Sequence, residues 1–258
     1  MRSRSFFILF IVTALTVFVL FPACEKPQQE SGPNSLSEAE KTAGWTLLFD
    51  GKSLDKWHGL GQASFPDEYW IIEGDAIKKL AQKDGPKMPD GQPKQGGDLI
   101  TNEAFDNYEF SFEWKISEGG NSGIKYNVSE ELSTSREPVH GALGWEYQVL
   151  DDENHSDNVN PTHRAGSLYD ILPPTNKTLK SVGEWNQSRI VVNGTHGEHW
   201  LNGTKVVEYD TDTAEFDSLY QKSKYFKIEG FREKKTGHIV LQDHADAVWY
   251  RNLKIREL

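Results

Sequence analysis

Basic residues and cysteine are both scarce in this sequence. Its 258 residues include 28 lysines and arginines against 39 aspartates and glutamates, so the formal net charge at pH 7 is −11. Because binding to phosphate backbones needs a clustered basic surface, this balance argues against a nucleic acid as partner. The single cysteine, Cys24, excludes an internal disulfide framework and a zinc site built from cysteines within one chain.

Signatures of the commonest catalytic and cofactor sites are missing as well. The chain contains no Gly-x-Ser-x-Gly elbow, no P-loop, no dinucleotide fingerprint and no His-Glu-x-x-His motif. These absences argue against a serine hydrolase, a nucleotide-binding enzyme and a zinc protease. They leave the cofactor unknown.

A long apolar run occurs only at the N-terminus. Arg2 and Arg4 precede the apolar stretch 6–19, which has the length of a signal peptide. Ala23 and Cys24 follow, and the whole resembles a bacterial lipoprotein signal in which Cys24 is the lipidated first residue of the mature chain. We therefore expect a protein anchored to a membrane outside the cytoplasm, in the periplasm or at the cell surface. The predicted segments are a signal peptide over 1–23, a flexible linker over 24–43 and a single domain over 44–258.

Short strands separated by turn signals fill the predicted domain. The clearest, 108–116, alternates without a fault, which indicates a half-buried antiparallel strand. Asn193-Gly194 and Asn202-Gly203 stand between apolar runs and are strong hairpin signals. Roughly a dozen such strands, with no sustained helical period, predict an antiparallel sandwich or barrel.

The stretch 144–174 carries the densest set of polar residues. Its first part alternates, so Glu146 and Gln148 point to the face opposite the aromatic residues and can project into one cleft. Glu146 is the first candidate for a base or ligand, with a solvated outer-face glutamate as the alternative. The loop that follows holds His155, His163 and Arg164. Polar loops of this length are usually functional or disordered, and the flanking aromatic residues favour an ordered one.

Further candidates lie at the edges of other strands. Lys125, just after a glycine-rich turn, is a candidate electrophile or acid, and His244 shares a strand face with Gln242. The remaining candidates for contact with substrate are Asn121, Gln148, Asp151, Tyr169, Trp185, Trp200 and Gln242. Ordinary structural roles stay open for them: solvent exposure for the lysine and the loop histidines, turn geometry for Asn121, and core packing for at least one tryptophan.

A divalent cation such as calcium is a further hypothesis. Hard oxygen ligands cluster in the central loop at Asp151, Asp152, Asp157 and Asp170. Their spacing fits no defined calcium loop, so the sequence does not assign a metal. It does not indicate an oligomeric state either.

Seven short blocks of residues form a recognisable series along the domain. They are Gly44-Trp45 with Leu48-Phe49-Asp50-Gly51, Gly97-Asp98-Leu99-Ile100-Thr101, Gly120-Asn121-Ser122-Gly123-Ile124, Tyr147-Gln148-Val149-Leu150-Asp151, Gly183-Glu184-Trp185-Asn186, His199-Trp200-Leu201-Asn202-Gly203, and Leu241-Gln242-Asp243-His244 with Val248-Trp249-Tyr250-Arg251-Asn252-Leu253-Lys254-Ile255. In this order they resemble the 3-keto-disaccharide hydrolase domain family over about residues 42–258. Two departures are Ala245, where the family usually has glycine, and the insertion-like stretch 129–144.

The resemblance implies an all-β, antiparallel jelly-roll β-sandwich similar to concanavalin A-like lectins and glucanases. It also implies cleavage of glycosides already oxidised to a ketone at C3 of the sugar. Such a ketone acidifies the C2 proton, so that a base can remove it and the C1 substituent can leave. This chemistry needs a base, an electrophile and an acid rather than two opposed carboxylates.

The leading hypothesis is therefore an enzyme acting on an oxidised glycan, with Glu146 and His244 as the central residues. Arg164 or Lys125 would polarise the ketone, and His155 is a further catalytic candidate. Two alternatives remain at this point. One is a non-catalytic carbohydrate-binding module, since the same sandwich hosts lectins. The other is an ordinary glycosidase.

Overall fold

The computed structural model describes residues 32–82, 97–135, 141–233 and 236–258. The strands are β1 (Thr46–Leu47), β2 (Trp57–Gly59), β3 (Trp70–Glu73), β4 (Ala76–Lys79), β5 (Leu99–Thr101), β6 (Tyr108–Ile116), β7 (Asn121–Val128), β8 (Trp145–Leu150), β9 (Asn186–Asn193), β10 (His196–Leu201), β11 (Thr204–Asp210), β12 (His238–Leu241) and β13 (Val248–Glu257). Between them lie the short helices α1 (Glu38–Thr42), α2 (Glu130–Thr134) and α3 (Ala214–Tyr220), with 3₁₀ turns at Ser156–Val159, Pro161–His163 and Lys224–Lys227.

The strands form two antiparallel sheets. The eight-stranded sheet has the order β11-β10-β9-β6-β13-β4-β3, with β1 also paired to β13, and the five-stranded sheet has the order β2-β5-β12-β7-β8. Sequence neighbours are often separated in these orders, as expected for a jelly roll rather than a simple meander. The prediction of an all-β, antiparallel jelly-roll sandwich is confirmed.

Strand β6 shows why the sequence folds into two layers. Phe110, Phe112 and Trp114 are buried in the core, while Glu109 and Glu113 alternate to the outer face of the eight-stranded sheet. Burying one face of each sheet against the other removes these aromatic surfaces from water, and this burial is the main driving force for the sandwich. The alternation read from the sequence is confirmed.

Both predicted Asn-Gly turns close hairpins. Asn193 pairs with His196 where β9 meets β10, and Leu201 pairs with Thr204 where β10 meets β11. In the second turn Asn202 and Gly203 both have positive φ, 47° and 83°, which is the backbone that a tight two-residue hairpin requires.

The segment before residue 44 is held against the domain from Asn34 onwards. The backbone and side chain of Asn34 exchange hydrogen bonds with Asn252, and α1 begins with a capping box between Ser37 and Glu40. Residues 34–43, which the sequence assigns to the flexible linker, thus make specific contacts. The predicted signal peptide and Cys24 lie outside the described residues, and lipidation stays a prediction. In the part of the chain that the structure describes, no helix has the length and apolar character needed to cross a membrane.

Three segments border the outer face of the five-stranded sheet, one of them along its edge strand β8. The main chain of 166–169 pairs with β8, since Gly166 N–H donates to the Gln148 carbonyl and Tyr169 N–H to the Glu146 carbonyl. Ala142, after α2, accepts a hydrogen bond from Lys125 on β7. The 3₁₀ turn Lys224–Lys227 lies beside β8. The site described next sits under these segments.

Candidate functional site

Glu146 is the centre of a buried polar group on the outer face of the five-stranded sheet. All six residues of β8 are buried, with Tyr147 and Val149 in the core and Glu146 and Gln148 on the opposite face. The side chain of Glu146 remains on this face because covering segments, rather than a second sheet, exclude water there. Its residue exposure is 4%. The solvated outer-face glutamate is therefore not what the fold produces.

Gly123 forms the floor of this group. It pairs in register with Gln148, directly across from β7 to β8. A Cβ on Gly123 would lie 2.6 Å from Glu146 Oε1 and 3.1 Å from Gln242 Oε1. Real Cβ atoms essentially never come as close as 2.6 Å to another heavy atom, so a side chain at this position would force the Glu146 carboxylate to shift. The absence of a side chain lets Glu146 and Gln242 converge over the strand.

Two glutamine oxygens in this group have no hydrogen-bond donor among the described residues. Gln148 donates through Nε2 to Asn121 Oδ1 at 3.0 Å, which leaves its Oε1 buried and unpaired. Gln242 Oε1 is likewise buried without a partner. Nearly all buried polar atoms in native proteins are paired, so these two oxygens mark a place where a bound molecule or an ordered water supplies donors.

Lys125 lies beside Glu146, and its ammonium group is held by the loop at Ala142 and by Asp98. The two residues are register partners on β7 and β8. Lys125 Nζ donates to the Ala142 carbonyl at 2.9 Å, and Asp98 Oδ2 lies 3.8 Å away. Asp98 also accepts from the backbone N–H groups of Ala142 and Asp243, so one buried carboxylate ties the loop over the site to the strands beneath it.

Tyr225 and Lys224 complete the group, and sequence reasoning missed both. Tyr225 donates its hydroxyl to Glu146 Oε2 at 3.3 Å. Burial, reinforced by the neighbouring Glu146 charge, raises the pKa of Tyr225 well above its ordinary value, so the phenol stays a donor. Lys224 is an exposed residue at the edge of the group. Desolvation of its ammonium lowers the pKa of Lys224, and repulsion from Lys125 adds to the effect while Glu146 opposes it. No periodicity or motif in 221–227 distinguishes these residues.

A second cluster borders the site at Tyr169. The His163 ring stacks on Tyr169 with centroids 4.2 Å apart, and Lys224 Nζ lies 4.1 Å from the Tyr169 ring centroid. Burial would raise the pKa of Asp157, but the hydrogen bond from His163 holds it below its usual value. Asp170 Oδ1 lies 3.2 Å from His163 Nε2. The two rings thus form a wall beside Glu146 rather than an open platform.

Behind this wall, His199 is a buried core residue. Its Nδ1 lies 3.1 Å from the Gly166 carbonyl and its Nε2 lies 2.8 Å from the Tyr126 hydroxyl. A neutral ring satisfies both, with Nδ1–H donating and Nε2 accepting. Burial lowers the pKa of His199 to about 4. This histidine fastens the segment carrying Tyr169 to the core.

Other sequence candidates in the central loop do not face Glu146. Arg164 is exposed, and its Nε donates to the Asn158 carbonyl. His155 caps the turn Ser156–Val159 by accepting from the backbone N–H of Asp157. Asp151 accepts from Gly119 N–H and from three donors in its own turn. The hydrogen bonds of these three residues hold the loop in its conformation.

His244 lies apart from the buried group. Strand β12 ends at Leu241, so the alternation that would have placed His244 beside Gln242 stops before reaching it. His244 is exposed in the following turn. The next residue, Ala245, has a φ of +73°, a conformation that favours glycine. Ala245, which stands where the family usually has glycine, is therefore in a strained backbone conformation.

Both candidate tryptophans lie on the other sheet or beside it. Trp200, on β10, carries the Arg189 guanidinium 4.3 Å from its ring centroid. Trp185 immediately precedes β9 and carries Arg251 at 4.1 Å and Lys115 at 5.1 Å. Cations cover these rings, and the structure does not bring either ring together with Glu146.

Possible cation ligands in the central loop are largely occupied by protein donors. Asp152 pairs with Lys177, while Asp157 and Asp170 both contact His163. Elsewhere in the described residues, ligand atoms of His196, Glu198 and Glu208 lie within 4.8 Å of one another. The two glutamates share Lys205, whose Nζ lies 3.1 Å from Glu198 Oε1 and 2.6 Å from Glu208 Oε1. An ammonium group thus already pairs with two of the three ligand residues.

The geometry around Glu146 suits proton abstraction from carbon. The carboxylate has one oxygen held by a phenol and one free over a glycine floor, with two lysines nearby to stabilise developing negative charge.

Comparisons with known proteins agree with a carbohydrate-related site. The sequence profile of the 3-keto-alpha-glucoside-1,2-lyase-like domain matches residues 44–256. A Bacteroides thetaiotaomicron protein named 3-keto-disaccharide hydrolase is 36% identical over 234 residues, which is 83% of this chain and 79% of that protein.

Two crystal structures from Parabacteroides distasonis, each provisionally described as a glycosyl hydrolase, share the fold. One is 27% identical with a TM-score of 0.74, covering 88% of this chain and 99% of that one. The other is 25% identical with a TM-score of 0.60, covering 83% and 99%. The resemblance read from the seven sequence blocks is confirmed.

Proposed function

The chain belongs to the 3-keto-alpha-glucoside-1,2-lyase-like domain family of carbohydrate hydrolases and lyases, and from this premise we propose that it cleaves 3-keto-glycosides by proton abstraction at C2. The observation that carries the proposal is Glu146, a buried carboxylate with a free oxygen on a face lined by unpaired acceptors. The family match supports the substrate class, and the geometry supports the choice of base.

Glu146 is the base in this proposal. Tyr225 holds Oε2, which fixes the carboxylate and leaves Oε1 directed over Gly123. Removal of the C2 proton by Oε1 gives an enediolate, whose electrons then expel the C1 oxygen. The proton held by Glu146 passes to the leaving oxygen, and water adds at C1 of the unsaturated ketone to complete hydrolysis. Net, one water is consumed and one glycosidic bond is broken.

Lys125 and Lys224 stabilise the enediolate in this proposal. Their ammonium groups lie near Glu146, and each offers N–H donors to an oxygen that becomes negative. Lys125 was one of the two groups expected to polarise the ketone. We prefer it to Arg164, whose guanidinium is directed to Asn158. His244 and His155 are not required, because neither contacts the buried group.

The test is release of a chromogenic aglycone from a 3-keto-glucoside and, in parallel, from the matching unoxidised glucoside. We expect release from the keto-sugar alone, and none from the Glu146→Gln variant. Release from the unoxidised glucoside would favour an ordinary glycosidase. Release from neither, together with measurable sugar binding, would favour a non-catalytic carbohydrate-binding module. Repeating the assay with a chelator shows whether a divalent cation takes part.

A further inference from the structure

The two unpaired glutamine oxygens lie on one surface. Gln148 lies on β8 and Gln242 directly follows β12, the strands on either side of β7, and both side chains lie on the face that carries Glu146. Gln148 is fully buried and Gln242 is 9% exposed. Their oxygens, together with Glu146 Oε1, make three hydrogen-bond acceptors around a glycine that contributes no side chain.

In native proteins such acceptors are paired by a ligand or by ordered water, because a buried, unpaired carbonyl oxygen costs free energy. The ligand must therefore present hydrogen-bond donors or positive charge to this surface. Oxygen atoms of this kind bind either hydroxyl groups or a hard cation.

The charges around the surface favour hydroxyl groups. Lys125 is the register partner of Glu146. Lys224 lies close enough to both residues for their charges to alter its pKa. The two ammonium groups repel a metal ion, and the neighbouring Asp98 carboxylate is already engaged by Lys125 and by two backbone N–H groups. A neutral polyol has no such penalty, and each of its hydroxyls can donate to one acceptor.

We infer that Gln148 and Gln242 form a subsite that accepts hydrogen bonds from two hydroxyl groups of the sugar ring. This inference rests on the proposed function, and it adds the orientation of the substrate. A ketone oxygen has no proton to donate, so it cannot satisfy either glutamine. The ketone therefore faces the lysines, while hydroxyl groups on the neighbouring carbons face the glutamines.

The subsite makes the enzyme selective for sugars that keep these hydroxyls. A site built to pair with a hydroxyl discriminates strongly against the analogue that lacks it, because the buried acceptor is then left unpaired. In this proposal the oxidised ring occupies the subsite, so the selectivity applies to that ring.

The test uses Gln242→Met, which keeps the length of the side chain and removes its strong acceptor. Gln242 is better suited than Gln148 because its side chain makes no hydrogen bond within the described residues. Its hydrogen bonds are those of the backbone, whose N–H donates to the Gly123 carbonyl and whose carbonyl accepts from the Ser122 hydroxyl. Gln187→Met, at an exposed position on β9 of the other sheet, is the matched control. Thermal unfolding verifies that all variants are folded.

Binding is measured by calorimetry with unoxidised methyl α-glucoside and its monodeoxy analogues, so that the result does not depend on cleavage. We expect at least one deoxy analogue to bind the wild type roughly 10- to 100-fold more weakly than the parent sugar. Gln242→Met should lose affinity for the parent and most of this discrimination, whereas Gln187→Met should keep both. Gln242→Glu, which retains acceptor oxygens, should also keep the discrimination.

Equal discrimination in wild type and Gln242→Met would overturn the inference even if 3-keto-glucosides are cleaved. Conversely, discrimination that depends on Gln242 would support it even if no cleavage is observed, which separates its failure from that of the proposed function. In the last experiment the protein is titrated with Ca²⁺ or Mn²⁺ in the absence of sugar. Saturable binding of the metal to the wild type that is lost in Gln242→Met would replace the hydroxyl subsite with a cation site.

Discussion

Polar side chains on the outer faces of the two sheets differ in their burial and in how completely they are paired. On the eight-stranded sheet, Arg251 pairs with Glu113 and Asp75 at 2.7 Å and also covers the Trp185 ring. On the five-stranded sheet, Gln148 and Gln242 keep acceptor oxygens that no described residue satisfies. Both faces are rich in charged groups, so polarity alone does not separate them.

Burial and pairing separate the two faces. Glu113 is partly exposed, with a side chain at 22%, and it accepts from an arginine, whereas Glu146 is 4% exposed and has a free oxygen. A partly exposed carboxylate that is paired with an arginine contributes modestly to stability, and its acceptor capacity is already used within the protein. A buried carboxylate beside unpaired acceptors is arranged for something not present in the protein itself. The comparison shows that the candidate face combines a buried carboxylate with unpaired glutamine oxygens. On the eight-stranded sheet the one buried unpaired atom among the described residues, Arg256 Nε, belongs to a cation that is paired with Glu109.

The strongest test of this contrast exchanges one carboxylate on each face. Glu146→Gln removes the proposed base, and we expect kcat on a 3-keto-glucoside to fall about 10³-fold. Glu113→Gln is the matched control and should leave kcat within about twofold, because its partner Arg251 lies on the other sheet from the site. Equal losses in both variants would contradict the assignment of the two faces.

A smaller effect is expected from filling the glycine floor. Gly123→Ala places a Cβ within 2.6 Å of Glu146 Oε1, so the carboxylate must move. We expect kcat/KM to fall by about 10- to 100-fold, since a misplacement near 1 Å can cost this much. Gly74→Ala, in an open turn with a φ of +64°, should instead reduce stability and leave kcat/KM unchanged. Steady-state kinetics and urea unfolding of both variants distinguish the two effects.

The pH dependence sharpens the role of the lysines. Because the pKa of Lys224 lies below the ordinary 10.5, its ammonium loses its proton at a lower pH than a solvated lysine, and kcat should fall as pH rises through that value. Lys224→Arg keeps a positive charge at every accessible pH, so this alkaline decline should move to higher pH. A pH–rate profile of the two proteins is the measurement. An identical decline in both would assign it to another group.

On the eight-stranded sheet, loss of a cation should lower stability and leave activity unchanged. Arg251→Met removes two ion pairs and a cation–π contact, and we expect a loss of about 1–2 kcal/mol in the free energy of unfolding with no change in kcat. Lys222→Met, at an exposed position after α3, serves as the control for loss of a positive charge. A fall in activity on Arg251→Met would show that the two faces are coupled.

The smallest effect concerns the turn after β12. Ala245→Gly relieves a φ of +73°, and we expect the free energy of unfolding to rise by about 0.5–1 kcal/mol after the entropic cost of glycine is counted. Ala247→Gly, in the same turn without a positive φ, should be neutral or destabilising. Urea denaturation compares the two. An increase in both would point to the unfolded chain rather than to strain at residue 245.

Local patterns in the sequence were enough to predict the strands and the sheet face on which two of the candidate residues lie. Alternation along β6 and β8 assigned core and outer faces, since successive side chains of a strand point in opposite directions whatever the tertiary context. That rule placed Glu146 and Gln148 on one face. It failed at His244 because β12 ends at Leu241, and the end of a strand depends on its partners in the sheet.

Only the tertiary structure decided which polar residues meet at Glu146. Tyr225 is 79 residues from Glu146 along the chain, and no local signal in the turn Lys224–Lys227 marks it as a partner of that carboxylate. Gln148 and Gln242 were candidates individually, but their unpaired oxygens exist only because covering segments remove water from an outer sheet face. The sequence by itself determined strand, turn and face, which are set by neighbouring residues. Burial and incomplete pairing depend on segments far apart in the chain, and folding alone brings them together.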